Sequence, residues 1–495
     1  MTHVLAIDQG TTGTTCLMVA ADGSVVSRAY REITQYYPRP GWVEHDATEI
    51  LDRTLAAARE AVTAAAVTPR AIGITNQRET VVVWDRATGE PVGRAIVWQD
   101  RRTAARCLEL APRAEEITAR TGLVVDPYFS ATKLEWMLRD TTIAQRARAG
   151  EVLAGTIDSW LIWCLTGGTV HATDPTNASR TLLYDIDQMQ WSNDLCALFG
   201  IPMAMLPEVR PSSGSFGDTM ADIFGASVPI MGVAGDQQAA LFGQGCWAAG
   251  SAKNTYGTGA FLLLNTGRQR PRGGAGILTT IACDARGGPA YALEGAIFIA
   301  GAAVQWLRDG LGIIGTATET EALARSISSN DGVYFVPALV GLGAPDWEPN
   351  ARGTIVGLTR GATRAHLARA ALEAMTYATR DVLEAMRRCA GGELDGWGDV
   401  PLRVDGGASA NNWLMQFQAD VLDMPVERPL NIETTALGAA GLAGLAAGVW
   451  TSPDEFLRSR RFMPFAPADA PRAEAYHAGW RRAVRTALAW ARDRD

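Results

Sequence analysis

Three short stretches carry residue types that could do chemistry on a phosphorylated ligand. The first, Ala6-Ile7-Asp8-Gln9-Gly10-Thr11-Thr12-Gly13-Thr14-Thr15, runs an apolar strand into a turn of glycine and hydroxyl residues. Glycine lets backbone approach a ligand closely, and threonine hydroxyls with backbone N–H groups can bind phosphate oxygens. Asp8, at the strand end, could hold Mg2+ directly or through water, because hard cations prefer oxygen ligands. The turn lacks the Lys-Ser/Thr pair of a Walker A loop. Cys16-Leu17-Met18-Val19 reads as strand, not as the helix that a dinucleotide fingerprint opens. A plain hairpin turn also favours Asp, Gly and Thr. The second stretch, Tyr256-Gly257-Thr258-Gly259, repeats the chemistry in the other half of the chain. The third, Asp405-Gly406-Gly407-Ala408-Ser409-Ala410-Asn411-Asn412, sets a glycine turn at a helix N-terminus, where N–H groups can meet a nucleotide. In this order the three read as a polyphosphate clamp, with two hairpins gripping from both sides of a cleft.

Two further stretches could handle a hydroxylated ligand. Arg78 and Glu79, in GITNQRET, follow a short strand, and open α/β sheets place ligands beyond such strand ends. Arginine supplies several fixed donors and glutamate supplies acceptors, so the pair can satisfy adjacent hydroxyls. The alternative is a surface ion pair, worth little. Asp236, in Ala234-Gly235-Asp236-Gln237-Gln238, could accept the proton of an attacking hydroxyl, with Gln237 hydrogen-bonding the same ligand. Asp236 could equally be a helix N-cap.

The elements that must position these residues follow an α/β pattern in two similar halves, each opening with a Gly/Thr hairpin. In the first, Asp22-Gly23 marks a hairpin, and Asp46-Ala47-Thr48-Glu49 reads as a capping box. The helix behind it carries Ile50, Leu51, Leu55 and Val62 on one face. In the second, an amphipathic helix spans about Arg364 to Met386, and PFAPADAP reads as a loop before a last helix from Ala473 to Arg492. The boundary falls near 245–255, which divides the chain into 1–248 and 249–495.

A chain of 495 residues is long enough for two or three domains, and 47% hydrophobic with 20% charged residues is ordinary for a globular protein. The net charge of −8 argues against nucleic acid or an anionic membrane as partner. Seven scattered cysteines without a C-x-x-C pair suit reduced thiols, and the dispersed histidines do not suit a zinc site. ALGAAGLAGLAAGVW is too short and too glycine-rich for a bilayer span and reads as a tightly packed buried helix. The cytoplasm is the expected compartment.

With these residues in view, the chain resembles the FGGY-type carbohydrate kinases, of the actin, hexokinase and heat-shock ATPase superfamily. DQGTT, YPRPGWVEHD, AIVWQDRR, TNASRT, KNTYGTG and RVDGGASANNWLMQ carry the resemblance nearly end to end, and GITNQRET with GDQQAALFGQ is specific to the glycerol branch. The resemblance implies two actin-like (ribonuclease H-like) domains flanking an interdomain cleft for ATP and substrate. It implies phosphorylation of glycerol from ATP with Mg2+, Asp236 as the base and Asp8 on the metal side. It maps Arg78, Glu79, Tyr128, Asp236 and Gln237 onto glycerol, with Trp98 and Phe298 as apolar walls. Core packing is the alternative for both walls, as it is for Tyr128. Thr11, Thr12, Gly13 and Thr258 fall around the phosphates, and Gly301, Gln305, Gly407 and Asn411 fall in the nucleotide pocket. Other polyols or ketoses are the nearest alternative substrates, and a nucleotide-gated scaffold is the alternative from another class. Homodimers or homotetramers are the family expectation.

The chain departs from the glycerol branch at Gly13 and Thr15, where a small hydroxyl residue and an arginine are usual. A cationic contact to the nucleotide phosphates is lost at Thr15. The Gly-Thr-Arg loop of members regulated by a sugar bisphosphate is replaced by ADIFGASVPI, and residues 212–245 contain no histidine for regulation by phosphorylation. Both forms of regulation are expected to be absent. Restoring the cation with Thr15→Arg is expected to shift the KM for ATP without abolishing turnover, which steady-state kinetics on both proteins would check.

Overall fold

The opening apolar run forms β1 (His3–Gln9), and the Gly/Thr turn leads into β2 (Gly13–Ala20) and β3 (Val25–Glu32). The computed structural model describes residues 2–274, 276–391, 400–458 and 460–493. Asp22 turns the second hairpin by accepting the Ser24 N–H at 2.9 Å, while Gly23 adopts φ 79°. Helix α1 (Ala47–Ala65) is capped by the Asp46 carboxylate, which accepts from Thr48 and Glu49. Glu49 does not close a capping box: its Oε1 takes the Thr34 hydroxyl at 3.0 Å instead. Two further strands, β4 (Ala71–Asn76) and β5 (Ile230–Gly235), run parallel to β1, giving a sheet of order β5-β4-β1-β2-β3. Helix α2 (Asp236–Gly243) leaves directly from β5.

A second sheet repeats this plan. β6 (Ala252–Tyr256) and β7 (Ala260–Gly267) form an antiparallel hairpin around Gly257-Thr258-Gly259. After β8 (Leu278–Cys283) and β9 (Pro289–Ile297) come β10 (Leu402–Asp405), β11 (Val426–Pro429) and β12 (Phe462–Phe465), in the sheet order β8-β9-β7-β6-β10-β11-β12. β6 is antiparallel to β7 and parallel to β10, as β1 is antiparallel to β2 and parallel to β4. Helix α3 (Arg364–Cys389) is the long amphipathic helix expected, with a largely buried face. The glycine turn after β10 enters a 3-10 turn, Gly407–Ala410, before helix α4 (Asn412–Leu422) begins. The delay has a local cause: Asn411 is the N-cap, and its Oδ1 accepts the Leu414 N–H at 2.9 Å.

The two compact units are not two uninterrupted halves. The first holds the chain through Trp247 together with Thr279–Tyr291 and Glu433–Arg460; the second holds Ala248–Leu278, Ala292–Ile432 and Arg461–Asp495. The chain returns to the first unit as helix α5 (Thr434–Ala446), the small-residue run read above as tightly packed. It packs with its backbone close to β4, β5 and α2: a Cβ on Gly73, Gly232 or Gly243 would meet the backbone of Ala439, Ala443 or Thr434. The C-terminal helix starts at Ala470, earlier than expected, because Pro471 falls in its first turn, where a missing N–H costs nothing. Among the described residues, no helix is long and apolar enough to cross a membrane.

The closeness of α5 makes a sharp prediction. A Cβ on Gly438 would lie 1.8 Å from the Ala239 carbonyl oxygen, on backbone that cannot swing aside. Gly438→Ala is expected to destabilise the protein by about 1–3 kcal/mol or more, which a thermal melt against the parent would register as a lower Tm.

Candidate active site

The parallel strands end together. Gln9 of β1 pairs with Asn76 of β4, and Asn76 pairs with Gly235 of β5, so Asp8, Arg78–Glu79 and Asp236 emerge at one sheet edge. Carboxyl ends of parallel strands are where open α/β sheets bind ligands.

Arg78 and Glu79 do not form a surface ion pair: their side chains are each 2% exposed. The Arg78 Nε lies 3.2 Å from Asp236 Oδ1 and 3.8 Å from Glu79 Oε1, and its Nη1 donates to Gln238 Oε1 at 3.2 Å. Gly235 makes room for this guanidinium, since a Cβ there would meet the Arg78 stem at 2.7 Å. Gly235 is also the helix cap. Asp236 is the first helical residue, and its Oδ1 accepts the Gln237 N–H at 2.7 Å. With 32% of its side chain exposed, Asp236 presents this buried group to solvent. Gln237 follows it, half-buried.

Trp98 and Tyr128 join the same region, ring edge to ring face, with centroids 5.6 Å apart. Trp98 is more than an apolar wall, because its indole N–H donates to the Thr11 hydroxyl at 2.9 Å. The structure therefore ties the aromatic pair to the opening turn. In that turn, Gly10 N–H donates to Gly13 O at 2.9 Å, and the Tyr30 hydroxyl donates to Thr12 O at 3.3 Å. Gly13 is buried under Tyr30 and Arg31, and Thr12 is exposed. The Gln77 amide donates to Gln9 Oε1 at 3.1 Å and Gly10 O at 3.3 Å, and its oxygen accepts from Thr80 at 2.9 Å.

Asp8 has its carboxyl pushed up to about 8, by burial first and then by the negative charges of Asp236 and Glu433. A carboxylate destabilised in this way favours a nearby cation, and oxygen donors suit a hard one such as Mg2+. Among the described residues, no set of three or more His, Cys, Asp and Glu side chains is arranged to hold a metal ion.

The second unit holds a separate cavity of about 510 Å3. Thr258, Gly301, Gln305, Gly407 and Asn411 all line it, together with Val304, Leu372 and Glu321. Gly301 N–H donates to Gly257 O at 3.0 Å, and a Cβ on Gly301 would meet that oxygen at 2.6 Å. A Cβ on Gly407 would meet nothing within 4 Å, so this position leaves open space at the cavity wall. The start of α4 is less available than its sequence suggests. Asn412 N–H donates to Glu321 at 3.2 Å, and the Asn411 side chain is engaged as the cap. Phe298 is also on this unit but outside the cavity lining, 38% exposed and 5.7 Å from the Trp347 ring.

Several buried residues escape a reading by spacing. Lys133 is completely enclosed, and its Nζ donates to Tyr128 O at 2.6 Å and Phe129 O at 3.1 Å. Burial pushes its ammonium down to about 7, against the opposing pull of Glu79, Asp100 and Asp126. Arg180 is enclosed as well, with Nε 2.6 Å from Glu79 Oε1. The only sequence signal for either is a charged residue inside an otherwise uncharged motif, SATK or TNASRT.

Comparison with known proteins gives the family. The N-terminal domain of the FGGY family of carbohydrate kinases matches residues 3–243, and its C-terminal domain matches residues 252–447. The chain belongs to the FGGY family of carbohydrate kinases. It is 53% identical to glycerol kinase 2 of Thermotoga maritima over 99% of both chains. It is 54% identical to the glycerol kinase of Carboxydothermus hydrogenoformans over 99% of this chain and 98% of that one. Among solved structures, Plasmodium falciparum glycerol kinase with ADP superposes with a TM-score of 0.92 at 36% identity, covering 99% of this chain and 98% of that one. A ligand-bound xylulose kinase from Lactobacillus acidophilus shares the fold, with a TM-score of 0.89 at 20% identity, over 100% and 99% of the two chains.

The support behind the opening turn has a pH signature. His45 is completely buried, its Nδ1 faces the Gln77 amide at 3.3 Å, and its Nε2 has no hydrogen-bond partner among the described residues. Burial pushes its pKa down to about 4, from 6.5. The unfolded chain therefore takes up a proton at a higher pH than the folded one. This contribution is fully present above pH 6.5 and is lost as the pH falls through 4, a cost of about 3 kcal/mol. Urea titrations at pH 7 and 4.5 are expected to show a smaller acid loss for His45→Gln than for the parent.

Proposed function

We propose that this chain transfers the γ-phosphoryl group of ATP to a terminal hydroxyl of glycerol, giving sn-glycerol 3-phosphate. The observation that carries this reading is the buried Arg78 guanidinium held beside both Glu79 and Asp236. It joins a donor, an acceptor and a solvent-facing carboxylate in the space of a small polyol. The identity to glycerol kinases over the whole chain supports glycerol as that polyol.

Glycerol is held by hydrogen bonds from Arg78 and Gln237, to Glu79 and with the Tyr128 hydroxyl, with Trp98 against its carbon backbone. Phe298 is a proposed further apolar contact. Asp236 accepts the proton of the attacking hydroxyl. The new bond forms between that oxygen and the γ-phosphorus as the bond from phosphorus to the β–γ bridging oxygen breaks, and ADP leaves with the electron pair. Thr11, Thr12 and the N–H groups around Gly13 bind phosphate oxygens, as does Thr258. The cavity of the second unit takes the nucleoside, with Val304 and Leu372 as apolar walls and Gly407 as the point of close approach. Asp8 would hold Mg2+, directly or through water, and the ion would supply neutralisation of phosphate charge. With ATP as donor, we assign the protein to the cytoplasm.

The test is ADP release, by a coupled assay, across glycerol, dihydroxyacetone, erythritol and D-xylulose. Glycerol is expected to give the highest kcat/KM, and absence of glycerol-dependent turnover would sink the reading. Asp236→Asn is expected to lower kcat by about 100-fold to 10,000-fold, and an unchanged kcat would remove Asp236 as the base.

A further inference from the structure

TNASRT is a motif of the chain that the chemistry above does not use. Its Arg180 has no exposed surface and cannot touch a ligand arriving from solvent. Its Nε donates to Glu79 Oε1 at 2.6 Å, and its guanidinium carbon lies 5.2 Å from the Phe129 ring centroid and 5.7 Å from that of Tyr128.

The place of this guanidinium is imposed by its neighbours. Asn76 and Asn177 exchange amide hydrogen bonds of 3.0 and 3.1 Å, which tie the end of β4 to the start of the motif. Ala131 N–H donates to Thr181 O at 2.8 Å, and the Ser130 hydroxyl donates to Glu79 O at 3.0 Å. Three segments distant in sequence, at 76–80, 128–133 and 176–181, are thereby fixed to one another. Glu79 itself has φ 61°, a left-handed conformation that costs a side-chain-bearing residue about 1–2 kcal/mol. Such a conformation persists where the surroundings over-determine it.

A buried charge must be paired, and a carboxylate carries lone pairs enough for more than one donor. We propose that Arg180 is a positioning residue for polyol recognition: it pins the Glu79 carboxylate in the one orientation that accepts from the polyol hydroxyls. The inference rests on Glu79 being a polyol contact. Arg180 then supports glycerol affinity and leaves ATP affinity alone, because its Nε acts on Glu79, a proposed polyol contact.

The experiment is a double-mutant cycle on the full chain, reading the KM for glycerol, the KM for ATP and kcat. Arg180→Met is expected to raise the glycerol KM by about 10-fold to 100-fold, the loss of a hydrogen bond between charged groups, with the ATP KM within about 2-fold. Arg180→Lys, which returns the charge but not the fixed fork, is expected to fall between parent and Met variant. In a Glu79→Gln background, Arg180→Met is expected to add less than about 3-fold. Effects that multiply in the double variant, or that raise both KM values alike, overturn the proposal. If Glu79→Gln leaves the glycerol KM unchanged, the polyol role of Glu79 fails, and the proposal fails with it for a different reason. Should Arg180→Met not fold, Arg180→Lys carries the test alone: a rise in glycerol KM with unchanged ATP KM supports the proposal, and any other pattern overturns it.

Discussion

A guanidinium with only 2% of its surface exposed must find its counter-charges inside the protein, and the chain is arranged around meeting that demand for Arg78. Asp236 and Glu79 supply the negative charge, Gln238 supplies a neutral acceptor, and Gly235 supplies the space. Replacing Glu79 or Asp236 removes one of the two counter-charges of this buried guanidinium. The consequence is rigidity at the place proposed to orient a small, flexible polyol. A ligand with few atoms offers little apolar area, so its orientation has to come from hydrogen-bonding groups that are already fixed.

The sheet explains why those groups meet. In a parallel sheet, side chains at strand ends are brought together by register rather than by proximity in sequence. The pairing of Gln9 with Asn76, and of Asn76 with Gly235, aligns three positions that span more than two hundred residues. The same strand plan in the second unit puts Tyr256-Gly257-Thr258-Gly259 beside the turn after β10. The duplication is one of architecture, and each copy has been fitted to its own task. The first copy is closed by α5 at backbone distance, and the second keeps a cavity.

Much of this was legible in the residues. Strand-turn-strand patterns with Asp22-Gly23 and with Gly257-Thr258-Gly259 announced the hairpins, because turn chemistry acts over a few residues. The glycine and alanine run at 436–450 announced a packed helix, since small side chains have no other reason to cluster there. What could not be read was pairing at long range. A lone charge inside TNASRT hints that Arg180 is unusual but does not name its partner, and nothing local says that Asn177 will exchange amide hydrogen bonds with Asn76, a hundred residues earlier. Nor does helix patterning reveal that Glu321 takes the Asn412 N–H at the start of α4. Return of the chain to the first unit at Glu433 was equally hidden, because a domain boundary leaves a mark in composition only where a linker is long.

Trp98 is the residue whose meaning changed most between sequence and structure. As an apolar wall it would be interchangeable with any large hydrophobic side chain. Its indole N–H, however, donates to the Thr11 hydroxyl at 2.9 Å, on the turn proposed to bind phosphate. A hydroxyl that accepts from an indole keeps its own proton for another acceptor. Thr11 is thereby set to donate, which is the role a phosphate oxygen requires. The other edge of the same ring packs on Tyr128. One rigid side chain thus joins Tyr128, a proposed polyol contact, to the opening turn.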